Sequence, residues 1–189
     1  MSVKSAETLN IETEIDNVKN VASSFSENIT DDQAFNILLL QYYCYKETEL
    51  KDIWYDVNNC ITDASNDGGL DFVYFDEEES KVIIGQNKYS EGISVQDCVS
   101  ELFKIATTID DFNRGHSGKY NSKVKELFQN ALDRLTDETE GNIEIVFSSL
   151  SHFNIENVIN KVKGIESKVS QISILTPKEI NNIIQKIKS

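Results

Sequence analysis

The stretch LDFVYFDEEESKVIIGQNKY, residues 70–89, constrains this chain more than any other. Two runs rich in Val, Ile, Phe and Tyr flank Glu77–Ser80. A connection of four residues makes an antiparallel hairpin the simplest arrangement. That loop length pairs Asp76 with Lys81, and counting back along both strands sets Asp71 opposite Gln86. Side chains two apart share a face of a strand. One face therefore carries Asp71, Val73 and Phe75 from the first strand, with Val82, Ile84, Gln86 and Lys88 from the second. It is apolar near the turn and polar at its open end.

Directly opposed residues have Cβ atoms about 5 Å apart, so a carboxylate, an amide and an ammonium meet at this corner. Charges beside a core cost desolvation unless paired or liganded. Two readings follow. Asp71 and Lys88 form a structural ion pair with Gln86 nearby. Or Asp71 holds Mg²⁺, which keeps several waters and needs only one or two carboxylates. Gln86 then supplies an amide oxygen or orients a water, and Lys88 assists the attacking water or stabilises charge on a phosphate. Asp67, ahead of Gly68-Gly69, is either an acid behind the metal or, by preference, a turn former. Gly85, inside a strand, marks close approach of backbone or ligand, or a packing contact.

The remaining pattern alternates helices and strands. Residues 1–28 are polar with sparse apolar positions, a helical segment loosely docked on the domain expected over 29–189. Thr30, with Gln33 three residues on, starts a helix through AFNILLLQYYCY to about Tyr45. The segment DIWYDVNNCITDA, residues 52–64, is ambiguous between helix end and strand. Ser94 and Asp97 open a helix whose apolar residues recur from Val95 to Phe112. Further helices are expected over about 119–135 and 155–162, and from Pro177 behind its Thr176 cap. Strands are expected over 142–148 and 171–175. The fold class is α/β, a central mixed sheet with helices on both faces.

Charge narrows the partners. The net charge is −14, but it is uneven. Residues 1–80 hold 18 acidic and 4 basic side chains, whereas 81–125 hold 5 and 7. A polyanion could still approach the second part, which is mildly basic. Lys88, Lys104, Arg114, Lys119, Lys123 and Lys125 are the candidate contacts, unless they form a solvated helix face. Cys44, Cys60 and Cys98 are widely spaced and odd in number, which reads as reduced thiols in a cytoplasmic protein rather than a zinc site. No apolar run approaches the length of a membrane span, so no membrane partner is expected. His116 and His152 lack partners at ligand spacing, and Trp54, Tyr42, Tyr43 and Tyr45 read as core or interface.

Asp67-Gly68-Gly69-Leu70-Asp71, a hairpin, then Gln86-Asn87-Lys88-Tyr89 resembles the PD-(D/E)xK nuclease superfamily. It is similar to the Mrr-type branch, where Gln replaces the acid of the second half-motif. With the apolar helix before it, the pattern looks most like the N-terminal region of the abortive infection phage resistance (AIPR) family. The resemblance covers about residues 30–150. It implies a restriction-endonuclease-like sheet and Mg²⁺-dependent hydrolysis of phosphodiesters, with Mn²⁺ substituting. DNA is the expected substrate, in prokaryotic anti-phage defence. Asp71 matches the metal-binding Asp, Gln86 the usual acid position, and Lys88 the catalytic Lys. Many members add a Glu from the preceding helix as a metal ligand, for which Glu47 and Glu49 are candidates and Glu49 is preferred. Cleaving both strands would favour a homodimer. AIPR proteins are longer, which implies a further C-terminal domain or partner protein, or a short stand-alone relative. The rival readings are a non-catalytic binding module on the same fold and an acidic inhibitor that mimics DNA.

Overall fold

The structure is a computed structural model that describes residues 3–62, 65–135, 142–165 and 169–189. Its centre is a four-stranded mixed sheet in the order β1-β2-β3-β4, formed by Phe72–Asp76, Lys81–Lys88, Ile143–Ser149 and Gln171–Leu175. β1 and β2 are antiparallel, and β2, β3 and β4 run parallel. The hairpin register is the one the loop length dictates: Asp76 pairs with Lys81 and Phe72 with Gly85.

The helices α1 (Ala6–Ser24), α2 (Asp31–Leu39), α3 (Leu50–Asn59) and α7 (Pro177–Lys188) cover one face. The helices α4 (Val95–Asn113), α5 (Ser122–Arg134) and α6 (Ile155–Lys161) cover the other. Period two assigns the faces. Val73, Val82 and Ile84 pack against Leu102, Ile105 and Phe128, while Phe72, Ile83 and Val146 pack against Phe35, Leu38 and Trp54.

Local signals place the helix starts. Thr30 and Gln33 close a capping box on α2, Ser94 and Asp97 on α4, and Thr176 and Glu179 on α7. α5 begins at Ser122, three residues later than its pattern suggests, because Asn121 accepts from the Val124 N–H as the cap. The run after α2 continues as a π-helix, Leu40–Tyr45, and stops at Lys46, whose φ of 54° ends the helix. The ambiguous segment 52–64 is helical through Asn59. Ile61 then bridges to Phe72, and residues 63–64 lie outside the described residues. The first helix is not loosely docked. Ile11, Ile15, Val18 and Ala22 of α1 are buried in one cluster with α2, α3 and α7, because those four positions form a single stripe at helical spacing.

Gly85 is a packing glycine. A Cβ there would overlap the ring of buried Phe72 across the hairpin. Gly85→Ala should cost about 1–3 kcal/mol by overpacking, read as a lower midpoint in urea unfolding with an unchanged slope.

All three cysteines are free. Burial pushes the Cys98 thiol up to about 12, and raises Cys44 and Cys60 as well. The thiolate is the nucleophile, so at pH 8 a disulfide reagent should label the native protein slowly and the urea-unfolded chain at all three positions at once. Rapid labelling of the native chain would contradict that environment. Among the described residues no helix is long and apolar enough to cross a membrane.

Candidate active site at the open end of the hairpin

Asp71 sits one residue before β1 and is held by backbone on three sides. Its N–H donates to the Gly85 carbonyl at 2.8 Å, and its carbonyl accepts from the Thr62 N–H at 3.0 Å. Its carboxylate Oδ2 accepts from the Asn87 N–H at 2.7 Å. The side chain is thus fixed beside the Gln86-Asn87-Lys88 segment.

Gln86 is 3% exposed on the α4 side of the sheet. With its amide nitrogen donating to the Gly69 carbonyl, its oxygen accepts from Lys88 Nζ at 3.0 Å. That is the orientation in which both amide atoms meet complementary partners. Gln86 therefore ties the glycine turn to the lysine, and a cation would reach its oxygen only through the second lone pair. Lys88 Nζ also faces Glu101 Oε1 of α4 at 4.0 Å. Asp71, Gln86 and Lys88 are brought together at one corner, as the hairpin register requires.

The turn before Asp71 is rigid for visible reasons. Asp67 Oδ1 accepts from the Gly69 N–H at 2.8 Å, which makes Asp67 a turn former. Gly68 and Gly69 have φ of 69° and 87°. A Cβ on Gly68 would stand 2.5 Å from Thr108 Oγ1, the hydroxyl that donates to the Gly68 carbonyl at 2.6 Å. Only glycine allows the turn to press this closely on α4.

A cavity of about 400 Å³ opens beside this turn, lined by Asn66, Asp67, Gly68, Lys104, Thr107 and Lys119 among others. Two of the candidate polyanion contacts, Lys104 and Lys119, thus line the same cavity. Lys119 pairs with Asp111 at 2.9 Å, and the Tyr120 hydroxyl donates to the same carboxylate at 2.5 Å. These hydrogen bonds, the tyrosine's first, hold the Asp111 carboxyl below its usual range. Arg114 is exposed at the end of α4. Lys123 lies within the field of Cys60, which lines a different cavity with Asp56 and Arg134.

Glu49 does not join the corner. α2 and the π-helix after it run from the open end of the hairpin toward its turn end. Asn36 Oδ1 accepts from Asn87 Nδ2 at 2.9 Å, whereas the Tyr43 hydroxyl reaches Ser173 at 3.2 Å and also Glu144, near the starts of β4 and β3. Glu47 and Glu49 follow at that far end. Glu49 lines a separate cavity with Glu14, Tyr42 and Lys188. The α2 side chain nearest the open end is Asn36, which meets Asn87 on the opposite face of the sheet from Gln86 and Lys88.

Glu101 was not singled out from the sequence. Its signal was a charge set inside an apolar stripe, three residues after Cys98 and four before Ile105, both buried. Among the described residues no group of three His, Cys, Asp or Glu side chains gathers at metal-ligating spacing. The donor set still fits a hard cation of low protein-ligand demand, since Asp71 is anionic and fixed and Mg²⁺ fills most of its positions with water. His116 and His152 are exposed. Comparison with protein-family models, with curated proteins and with solved structures gives no match.

Proposed function

We propose that this chain is a metal-dependent nuclease of restriction-endonuclease-like fold. It hydrolyses phosphodiester bonds of nucleic acid, DNA foremost, in cytoplasmic defence of a prokaryote against phage. The observation that carries the reading is the corner itself: a backbone-clamped carboxylate, Asp71, beside an ammonium, Lys88, that a buried amide holds at 3.0 Å. The DGGLD and QNKY residues that build this corner are those on which the resemblance to the Mrr-like and AIPR nucleases rests. The mixed sheet, an antiparallel hairpin continued by parallel strands, is compatible with that fold.

When bound, Mg²⁺ or Mn²⁺ supplies charge neutralisation and an acidified water. Asp71 would hold it. Lys88, kept on station by Gln86, presents its charge where negative charge develops on the phosphate. Lys104 and Lys119 neutralise neighbouring phosphates along the cavity wall, which makes binding weaken with salt. Asp111 restrains Lys119 until a phosphate competes for it.

The experiment is incubation of the full chain with supercoiled plasmid, single-stranded DNA and RNA, with Mg²⁺, Mn²⁺ or chelator. Nicking that needs the metal is expected. No cleavage of any substrate, together with no metal uptake by calorimetry, would replace the enzyme with a binding module of the same fold. Duplex cleavage in concert would favour a homodimer, read by sedimentation.

A further inference from the structure

We propose that the cavity at the outer edge of β1 binds an aliphatic polyamine, its ammonium groups held between aromatic rings and carboxylates. The site is separate from the candidate active site. It lies at the turn end of the hairpin, where Asp76 stands five residues from Asp71, about 17 Å along an extended strand.

β1 is an outer strand of the sheet. Ile61 bridges to Phe72, and the Val73 N–H donates to the Cys60 carbonyl at 2.9 Å, which covers the first half of that edge. Among the described residues no strand pairs with the second half. Backbone groups alternate sides along an antiparallel strand, so the Phe75 carbonyl, two residues after Val73, faces out at this edge as an acceptor. A cavity of about 680 Å³ opens there, within the size range of small-molecule sites. Its walls are aromatic. Tyr45, at the end of the π-helix, and Tyr74 meet edge to face with ring centroids 4.9 Å apart, and Phe75 lines the cavity from the other face of the strand. Its rim is acidic, with Asp56 of α3 and Asp76, Glu77 and Glu78 of the hairpin. Against these four carboxylates stand Lys46 and Arg134, which leaves two negative charges in excess among the lining residues. Burial first, then charge at Cys44 and Asp76, pushes the Tyr74 phenol up to about 12, so the carboxylate's field falls on the ring.

The chain itself shows which group these walls accept. The Arg134 guanidinium lies 4.1 Å from the Phe75 ring centroid and pairs with Glu77. A cation over an aromatic face and beside a carboxylate is stabilised by both. Arg134 serves the Phe75 side, and the Tyr45–Tyr74 side keeps Asp56, Asp76 and Glu78 for a further cation. A linear polyamine matches that lining. Its methylenes pack on the rings, its ammonium groups donate to the carboxylates and the Phe75 carbonyl, and two or more charges balance the excess.

The test is titration of the full chain with spermidine by calorimetry, at low salt and in chelator, so that no metal occupies the Asp71 corner. One molecule bound per chain is expected. Tyr74→Leu leaves the charge unchanged and should weaken binding about 3–10-fold, whereas Tyr74→Phe, which keeps the ring, should bind as wild type does. Asp76→Asn with Glu78→Gln should weaken it more than Asp16→Asn with Glu27→Gln, an equal loss of charge at exposed positions on and just after α1. Equal weakening by the two pairs, or wild-type affinity in Tyr74→Leu, would overturn the site and leave only diffuse attraction to an acidic chain. No spermidine binding by wild type would overturn it outright. Neither result touches the nuclease reading, which cleavage alone tests.

Discussion

Asp71→Asn and Lys88→Met should each lower metal-dependent cleavage by about 10²–10⁴-fold, by different routes. Asp71→Asn keeps an oxygen for the Asn87 N–H but loses the charge that a cation needs. Its deficit should appear as lost metal binding. Lys88→Met keeps the aliphatic stem and removes the ammonium from Gln86 Oε1. It should bind Mn²⁺ at least as well as wild type, because a competing positive charge is gone, and fail in the chemical step. Melting temperatures of both variants should stay close to wild type, since Asp71 and Lys88 are only half-buried. Cleavage that survives both substitutions would place the activity elsewhere or in a contaminant. Equal losses of metal binding in the two would contradict the division of labour between carboxylate and ammonium.

What could be read from sequence follows the range of the physics involved. A four-residue loop and a period of two are local rules, so the pairing of Asp76 with Lys81 and the shared face of Val73, Val82 and Ile84 follow from residues 70–89 alone. Capping is equally local, and Thr30, Ser94 and Thr176 all cap as their spacing indicates. Glu49 lies apart from Asp71 because of the direction in which α2 crosses the sheet, which its own neighbours in sequence do not indicate. That direction follows from the packing of α2 in a cluster it shares with α1, α3 and α7. Glu101 faces Lys88 only because α4 folds back over β2, a contact between distant elements that no local pattern encodes. Gln86 was legible as a polar residue in a strand, but its two hydrogen bonds join residues 69 and 88, which only the hairpin brings together. The fold class followed from patterns within elements, while the membership of the corner followed from contacts between them.

Glu144→Ala should lower stability by about 1–3 kcal/mol. Glu144 is 1% exposed, at the end of the sheet away from the candidate site. Its Oε1 accepts from Lys81 Nζ at 2.8 Å, and its Oε2 accepts from the hydroxyls of Tyr43 and, at 3.2 Å, Ser173. Removing the carboxylate takes an acceptor from three donors at once, leaving Tyr43 to Ser173 at 3.2 Å and Lys81 to the exposed Glu79 at 3.0 Å. A buried pair costs much to break and little to replace whole. The double variant Glu144→Leu with Lys81→Met should therefore recover most of the loss in urea unfolding at pH 7. The same cluster sets an alkaline limit. Burial first, and then the hydrogen bond to Glu144, raise the Tyr43 phenol above its usual value. The unfolded tyrosine ionises near pH 10 while the folded one stays protonated. The stability this contributes is fully present below about pH 10 and is lost as the pH rises beyond it. Wild type should destabilise steeply over that interval, and Glu144→Ala, already without the hydrogen bond, should do so less. An equal alkaline slope in the two proteins would show that burial alone governs Tyr43.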